Sequence, residues 1–536
     1  MRVRAWSFLY LRRVGFGRRW AAATLALLLA GSLTAAQVGE KPREVSAARA
    51  HLQAGQRALE AHNLPEAKAQ FELALRAEPN LAEAHVALGI AEFQSGDNAR
   101  AIGHYRRALE LQPNAFSAHY NLALAYLREK DMKNGLAELE RATALNPRHA
   151  DAAYNLGLVL LELGRPAEAR RRLRQARALQ SSRPDIAFNL IRVELETRRL
   201  EGARQEANAA ARTFGNDPQW RAAVGNLFLE HGQPAEAAEH LAAALTLQPD
   251  AVEVRRKLAA ARLEAHDPAG AVTVLGAPTS PEDHYLLASA HFLLRHLPEA
   301  EQESRLALAQ DPRESRYLLL RARIGQRLGE HAAALEILRQ VSELAPKWSE
   351  PHYSAGVSYY LQRRYAEARA SLGRALELDP RSARALFLYA ATLVNEGKNR
   401  EGEAYMHRAL ALEPSNARFR YHLGALLLRD NRPLEARQAF AESIRLKPDF
   451  APPHYQLGKL LARANQLEPA ARELEIAIRY QPDLAEAYYQ LSRVYARLGE
   501  NAKSQRALVA FSQLKKEAAD ESGEFMEDVR KQLELQ

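Results

Sequence analysis

An all-α solenoid of antiparallel helix pairs is the fold this sequence predicts. Three observations predict it: a regular spacing of prolines, small residues that recur in register with them, and a composition rich in Ala, Leu, Arg and Glu. Prolines fall at 79, 113 and 147 and again at 346, 380, 414, 448 and 482, each 34 residues after the last within its group. A fixed period of this length marks stacked repeats, so the 536 residues are not to be divided into domains by length alone. Hydrophobic residues make up 47% and charged residues 26% of the chain, a balance that suits helices burying one face and solvating the other.

With Pro79 as the thirty-second residue of its repeat, the register begins at residue 48 or 49 and can be tested elsewhere. The twentieth position holds Ala67, Ala101, Ala169, Ala203, Ala237, Ala271, Ala300, Ala334, Ala368, Ala436 and Ala470, with Gly135, Gly402 and Ser504 in the others. Only small residues occur, which predicts that the two helices of each pair cross closely there. The eighth position is mostly small as well, as at Gly55, Gly89, Gly157, Gly225, Gly356, Gly424 and Gly458. Gly96, Gly164, Gly232, Gly329, Gly397 and Gly499 stand where the first helix must stop and turn. The proline then ends the second helix, because it cannot continue one and biases its predecessor away from helical geometry.

These residues carry a resemblance to the tetratricopeptide repeat. Ala118–Pro147 (AHYNLALAYLREKDMKNGLAELERATALNP) and Glu83–Pro113 look like the family pattern throughout, and about fourteen repeats run from His51 to about Lys516. The resemblance implies a right-handed superhelix with a concave channel lined by the first helix (helix A) of each pair, and a protein or peptide as its partner. The expected organisation is a signal peptide or uncleaved anchor over 1–36, a linker over 37–47, an N-terminal block of repeats over 48–251, a C-terminal block over 281–518 and a capping helix or tail over 519–536. Between the blocks, 252–280 is about five residues short and is broken by Gly276, Pro278 and Pro281, which predicts a kink or hinge. Ser181 and Gly215 replace the terminal proline, and Pro184 and Pro218 start the following helices instead.

Residues 1–36 contain Arg2, Arg4, Arg12, Arg13, Arg18 and Arg19 and no acid, followed by the apolar run Trp20–Ala30 and a small-residue stretch ending at Ala35 and Ala36. That order predicts export to the periplasm or beyond, with cleavage after Ala36 or Ala35; the alternative is an inner-membrane anchor with the repeats facing outward. The same six arginines account for most of the formal charge of +9 and leave +3 for the rest. No long basic run remains to suggest nucleic acid.

Cysteine is absent, which removes disulfides, thiolate metal sites and cysteine nucleophiles. His85, His119, His352 and His454 share the fourth register position, a packing place in the family, and sites a repeat apart are too distant to share an ion. Neither a phosphate loop nor a nucleophile elbow is present, so no catalytic residue, metal or cofactor is expected.

Candidate partner-binding residues lie on helix A. Asn121, Asn155 and Asn189 hold the sixth position of three consecutive repeats, and His422, Gln456 and Gln490 the same position later. An amide offers both donor and acceptor, so a ladder of them suits the backbone of an extended peptide. In several members of the family such asparagines clamp peptide backbones, and the resemblance implies the same here, but Asn is also common at this position in the family as a whole. The fifth position is an aromatic stripe that includes Tyr120, Tyr154, Phe188, Tyr421, Tyr455 and Tyr489, suited either to recognition or to packing between repeats. The sequence therefore predicts a non-catalytic interaction scaffold of a bacterial cell envelope. An exopolysaccharide-export or carbohydrate-handling scaffold is the alternative, while a glycosyltransferase subunit would require a catalytic domain for which the repeats leave no room.

Overall fold

The turn inside each helix pair is built from two adjacent positions. In the computed structural model, which describes residues 47–517, the fifteenth position of every repeat has positive φ. Six of these are the glycines expected from the sequence, and eight are His62, Lys130, Arg198, His266, Arg295, Arg363, Asn431 and Asn465. The sixteenth position then caps the second helix (helix B): the side chains of Asp97, Asp131 and Asp267 accept hydrogen bonds from backbone N–H groups three residues on, satisfying donors that the first turn leaves open.

At the other end, the residue before the proline leaves helical geometry. Gln112 and Asn146 have φ near −134° and ψ near 86°, the extended conformation that a following proline favours. Each still donates its N–H to the twenty-seventh residue's carbonyl, Ala108 or Ala142, so the helix closes before the chain turns. Where the terminal proline is missing, helices Pro184–Glu196 and Pro218–Glu230 begin at the prolines instead.

Among the described residues there are 28 helices and no strand. The chain divides into two compact units between Ala265 and His266. The boundary falls within the short repeat, whose second helix, Pro268–Leu275, has 8 residues and ends at Gly276 with φ 56°. In each unit every helix packs on its neighbours in sequence. The signal or anchor, most of the 37–47 linker and the 519–536 tail lie outside the described residues.

Each core is a row of notches. Ala67, Ala101, Ala169 and Ala203 are sealed at the twentieth position. At the eighth position, a Cβ on Gly89 would lie 2.6 Å from the Tyr105 ring, and one on Gly424 would lie 2.6 Å from that of Phe440. The glycines make room for large residues at the twenty-fourth position, among them Phe71, Tyr105 and Phe440, all fully buried. Close packing of this kind leaves no slack for an added carbon.

Candidate groove on the helix A face

Three successive repeats in the first unit are tied by the asparagine ladder. Asn155 Nδ2 donates to the Tyr120 hydroxyl at 3.0 Å, and Asn189 Nδ2 donates to the Tyr154 hydroxyl at 3.1 Å and to the carbonyl of Asp185 at 2.9 Å. Asn121 donates to the Ser117 carbonyl of its own helix at 2.8 Å. Asn121 and Asn189 are buried and Asn155 is half-buried. The amide nitrogens thus serve the scaffold, linking sixth position to the preceding fifth. Burial pushes the Tyr120 and Tyr154 hydroxyls well above the usual phenol range, so both remain neutral partners.

Most of the aromatic stripe packs between repeats. Tyr120, Tyr154, Tyr421 and Tyr455 are buried and Phe188 is half-buried, whereas Tyr489 is 40% exposed. Gln456 and Gln490 are half-buried. His422 is buried, with its ring centre 5.0 Å from those of both Phe387 and Tyr421.

In the second unit these positions border a concavity of about 480 Å³. Tyr421, His422 and Gln456 line it together with Asn395, Met406 and Arg429, and Arg363 and Tyr365 contribute from the repeat before. Helix A supplies its sixth, ninth, twelfth and thirteenth positions, since residues three and four apart share one face of a helix. Asn395 is fixed there by two donations from Nδ2, to the Tyr360 hydroxyl and the Ala391 carbonyl, each at 3.0 Å. A pocket of this size, mostly apolar with a few fixed polar groups, has the make-up of a binding site.

The histidines of the fourth position do more than fill space. His119 Nδ1 lies 2.5 Å from Glu138 Oε2, and its Nε2 lies 2.9 Å from the Pro113 carbonyl. His454 repeats the arrangement with Glu473 and Pro448 at 2.6 and 2.9 Å. His85 meets His104 and the Pro79 carbonyl instead. Each ring bridges the two helices of its pair and the turn before them, a role that the sequence reading missed. A partner nineteen residues later was the available signal.

Tetratricopeptide repeat models match residues 89–129, 120–170, 160–227, 223–284, 315–347, 349–382, 390–449 and 455–513. The chain belongs to the tetratricopeptide repeat family. Among solved structures, the APC/C hetero-tetramer Cut9–Hcn1 resembles this tetratricopeptide repeat chain at 14% identity, over 84% of this chain and 97% of that one, with a TM-score of 0.42. PilF of Pseudomonas aeruginosa does so at 24% identity over 39% and 95%, TM-score 0.33. YrrB, described as a tetratricopeptide repeat protein with an unusual peptide-binding site, does so at 22% over 34% and 95%, TM-score 0.31. No curated protein matches the chain. Among the described residues of this tetratricopeptide repeat protein, no group of three or more His, Asp or Glu is placed to hold a metal, and no helix is long and apolar enough to cross a membrane.

Proposed function

We propose that this protein is a non-catalytic scaffold that binds extended protein segments along the helix A face, with the concavity around Tyr421, His422, Arg429 and Gln456 as its principal contact. One observation carries the reading: a cavity of about 480 Å³ is lined by the same register positions of successive helices, so a chain lying across them would meet equivalent side chains repeat after repeat. Membership of the tetratricopeptide repeat family supports a protein partner. The ladder of Asn121, Asn155 and Asn189 belongs to the same proposal in the first unit, where the half-buried Asn155, its amide nitrogen held by the Tyr120 hydroxyl, has its carbonyl oxygen to offer a partner's N–H group, and the buried Asn121 and Asn189 shape the face around it.

The arginine-rich and apolar order of residues 1–36 supports an exported location, in the periplasm or anchored at the inner membrane. Fractionation of cells expressing the full chain, with protease added to spheroplasts, tests it; recovery only in the protected cytoplasmic fraction would remove the envelope from the proposal.

Site-specific photocrosslinking tests the groove. A photoreactive residue at Gln456 is expected to capture a protein that the same residue at Arg472, exposed on helix B of the same repeat, does not. Equal capture from both positions would place binding elsewhere.

A further inference from the structure

The charges around the concavity identify the chemistry of its partner. None of the lining residues is Asp or Glu, and two are arginines, Arg363 and Arg429. Arg429 begins a series at the thirteenth position that continues with Arg463 and Arg497, each 34 residues on. Elsewhere in this unit Arg364 meets Glu367, Arg374 meets Glu377 and the half-buried Arg432 meets Glu403 and Glu435, while the exposed Arg400, Arg437 and Arg472 pair with no carboxylate among the described residues. At and beside the concavity, the exposed side chains of Arg363, Arg429 and Arg463 likewise make no hydrogen bond or ion pair among the described residues. Arg497 does have a structural use, donating to the Ala462 carbonyl at 2.9 Å and to Asn465 Oδ1 at 2.7 Å.

The ninth position, one turn earlier on the same face, adds Lys459 over the Tyr455 ring at 4.8 Å and Arg493 over the Tyr489 ring at 5.8 Å. Across the second, sixth, ninth and thirteenth positions of the repeats beginning at 417, 451 and 485, the one acid is Glu486, at the far end. The fold does not require this sign. In the last four repeats of the other unit the thirteenth position carries Glu162, Glu196, Glu230 and Glu264, all exposed, although Arg128 holds it earlier.

We propose that the concavity takes a bulky apolar side chain from an extended acidic protein segment, whose carboxylates pair with Arg363, Arg429 and Arg463. The inference rests on the groove reading above and adds the partner's charge. An apolar pocket beside unpaired guanidinium groups suits this combination, because the side chain displaces water while the planar forks take carboxylates in two-point contact.

Fluorescence anisotropy of the full chain tests it with three short labelled peptides, each carrying a central Leu flanked by Ser and by Glu, Gln or Lys. The Glu peptide is expected to bind about tenfold more tightly than the Gln peptide, to lose that margin as salt is raised, and the Lys peptide is expected to bind least. R429Q/R463Q should erase the margin between Glu and Gln, and the charge-reversing R429E/R463E should favour Lys. Ala425→Trp, which fills the concavity, should weaken all three, with helicity and melting checked alongside.

Equal binding of Glu and Lys peptides, or a margin unchanged in R429Q/R463Q, overturns the acidic partner. If binding stays sensitive to Ala425→Trp in that case, the groove reading survives alone. If no peptide binds, or if a folded Ala425→Trp protein binds all three undiminished, both fall.

Discussion

Asn189 donates an amide hydrogen to the hydroxyl of Tyr154, 3.1 Å away in the preceding repeat, and both residues are all but sealed from solvent. Removing the donor takes the amide partner from a buried phenol, at a cost of about 0.5–1.5 kcal/mol. Asn189→Ala is therefore expected to lower the denaturant midpoint and to loosen amide-exchange protection across helices Ala150–Glu162 and Pro184–Glu196. Asn121→Ala, which removes a bond only within its own helix, is the comparison and should cost less. Equal losses in the two variants would mean that the link between repeats carries no extra stability.

The eighth-position notch gives a second expectation. A methyl group at Gly89 would press on the Tyr105 ring, itself fully buried, and overpacking of this kind costs about 1–3 kcal/mol. The repeat with Ala123 at the same position has Leu139 opposite it. Gly89→Ala should therefore destabilise, and should cost less in a Tyr105→Leu background than in the native chain. Additive losses in the double variant, measured by chemical denaturation, would contradict the notch.

Much of the architecture was legible because one set of contacts recurs about fourteen times, so each position could be read against its equivalents. The sealed twentieth position, the proline stops and the positive φ at Gly96 and Gly164 are where the periodicity put them. The roles of the site residues were harder to read, because they depend on partners across a repeat boundary or across a helix pair. Tyr120 and Asn155 look like separate stripes in the sequence, yet they form one hydrogen bond. The concavity has a similar cause: Arg363, from a turn, and Met406, from helix B, join the helix A residues there, and no single stripe contains them.

The left-handed turn supplies a third prediction. Lys130 and Arg198 adopt φ of 63° and 56°, where a Cβ crowds the following carbonyl, while a Cβ at Gly96 would meet nothing within 4 Å. The cost there is one of backbone alone. Lys130→Gly and Arg198→Gly should each stabilise by about 0.5–1 kcal/mol, and Gly96→Ala should destabilise by about as much. Asn465→Gly should gain less, because Asn tolerates this region. The ordering among these variants, from matched urea titrations, is the check; a loss of stability at Lys130→Gly and Arg198→Gly alike would refute it.

Acid should weaken the first unit through His240. Its ring is buried, stacked 5.6 Å from Phe228, with Nδ1 3.2 Å from Arg221. Burial first, and then the Arg221 charge, lower its pKa from 6.5 to about 4. Between those values the unfolded chain binds a proton that the folded chain refuses, so stability falls as pH drops from 6.5 towards 4 and is fully present above 6.5. The full effect is roughly 3 kcal/mol. His85, His104, His149 and His352 are lowered in the same direction, chiefly by burial, so the informative quantity is the difference between the native chain and His240→Leu, which keeps an apolar group there and removes the titration. The native chain should lose roughly 3 kcal/mol relative to the variant as pH falls from 6.5 to 4, with the variant's curve the flatter. Parallel curves across that window would show that His240 takes up its proton equally well in the folded state.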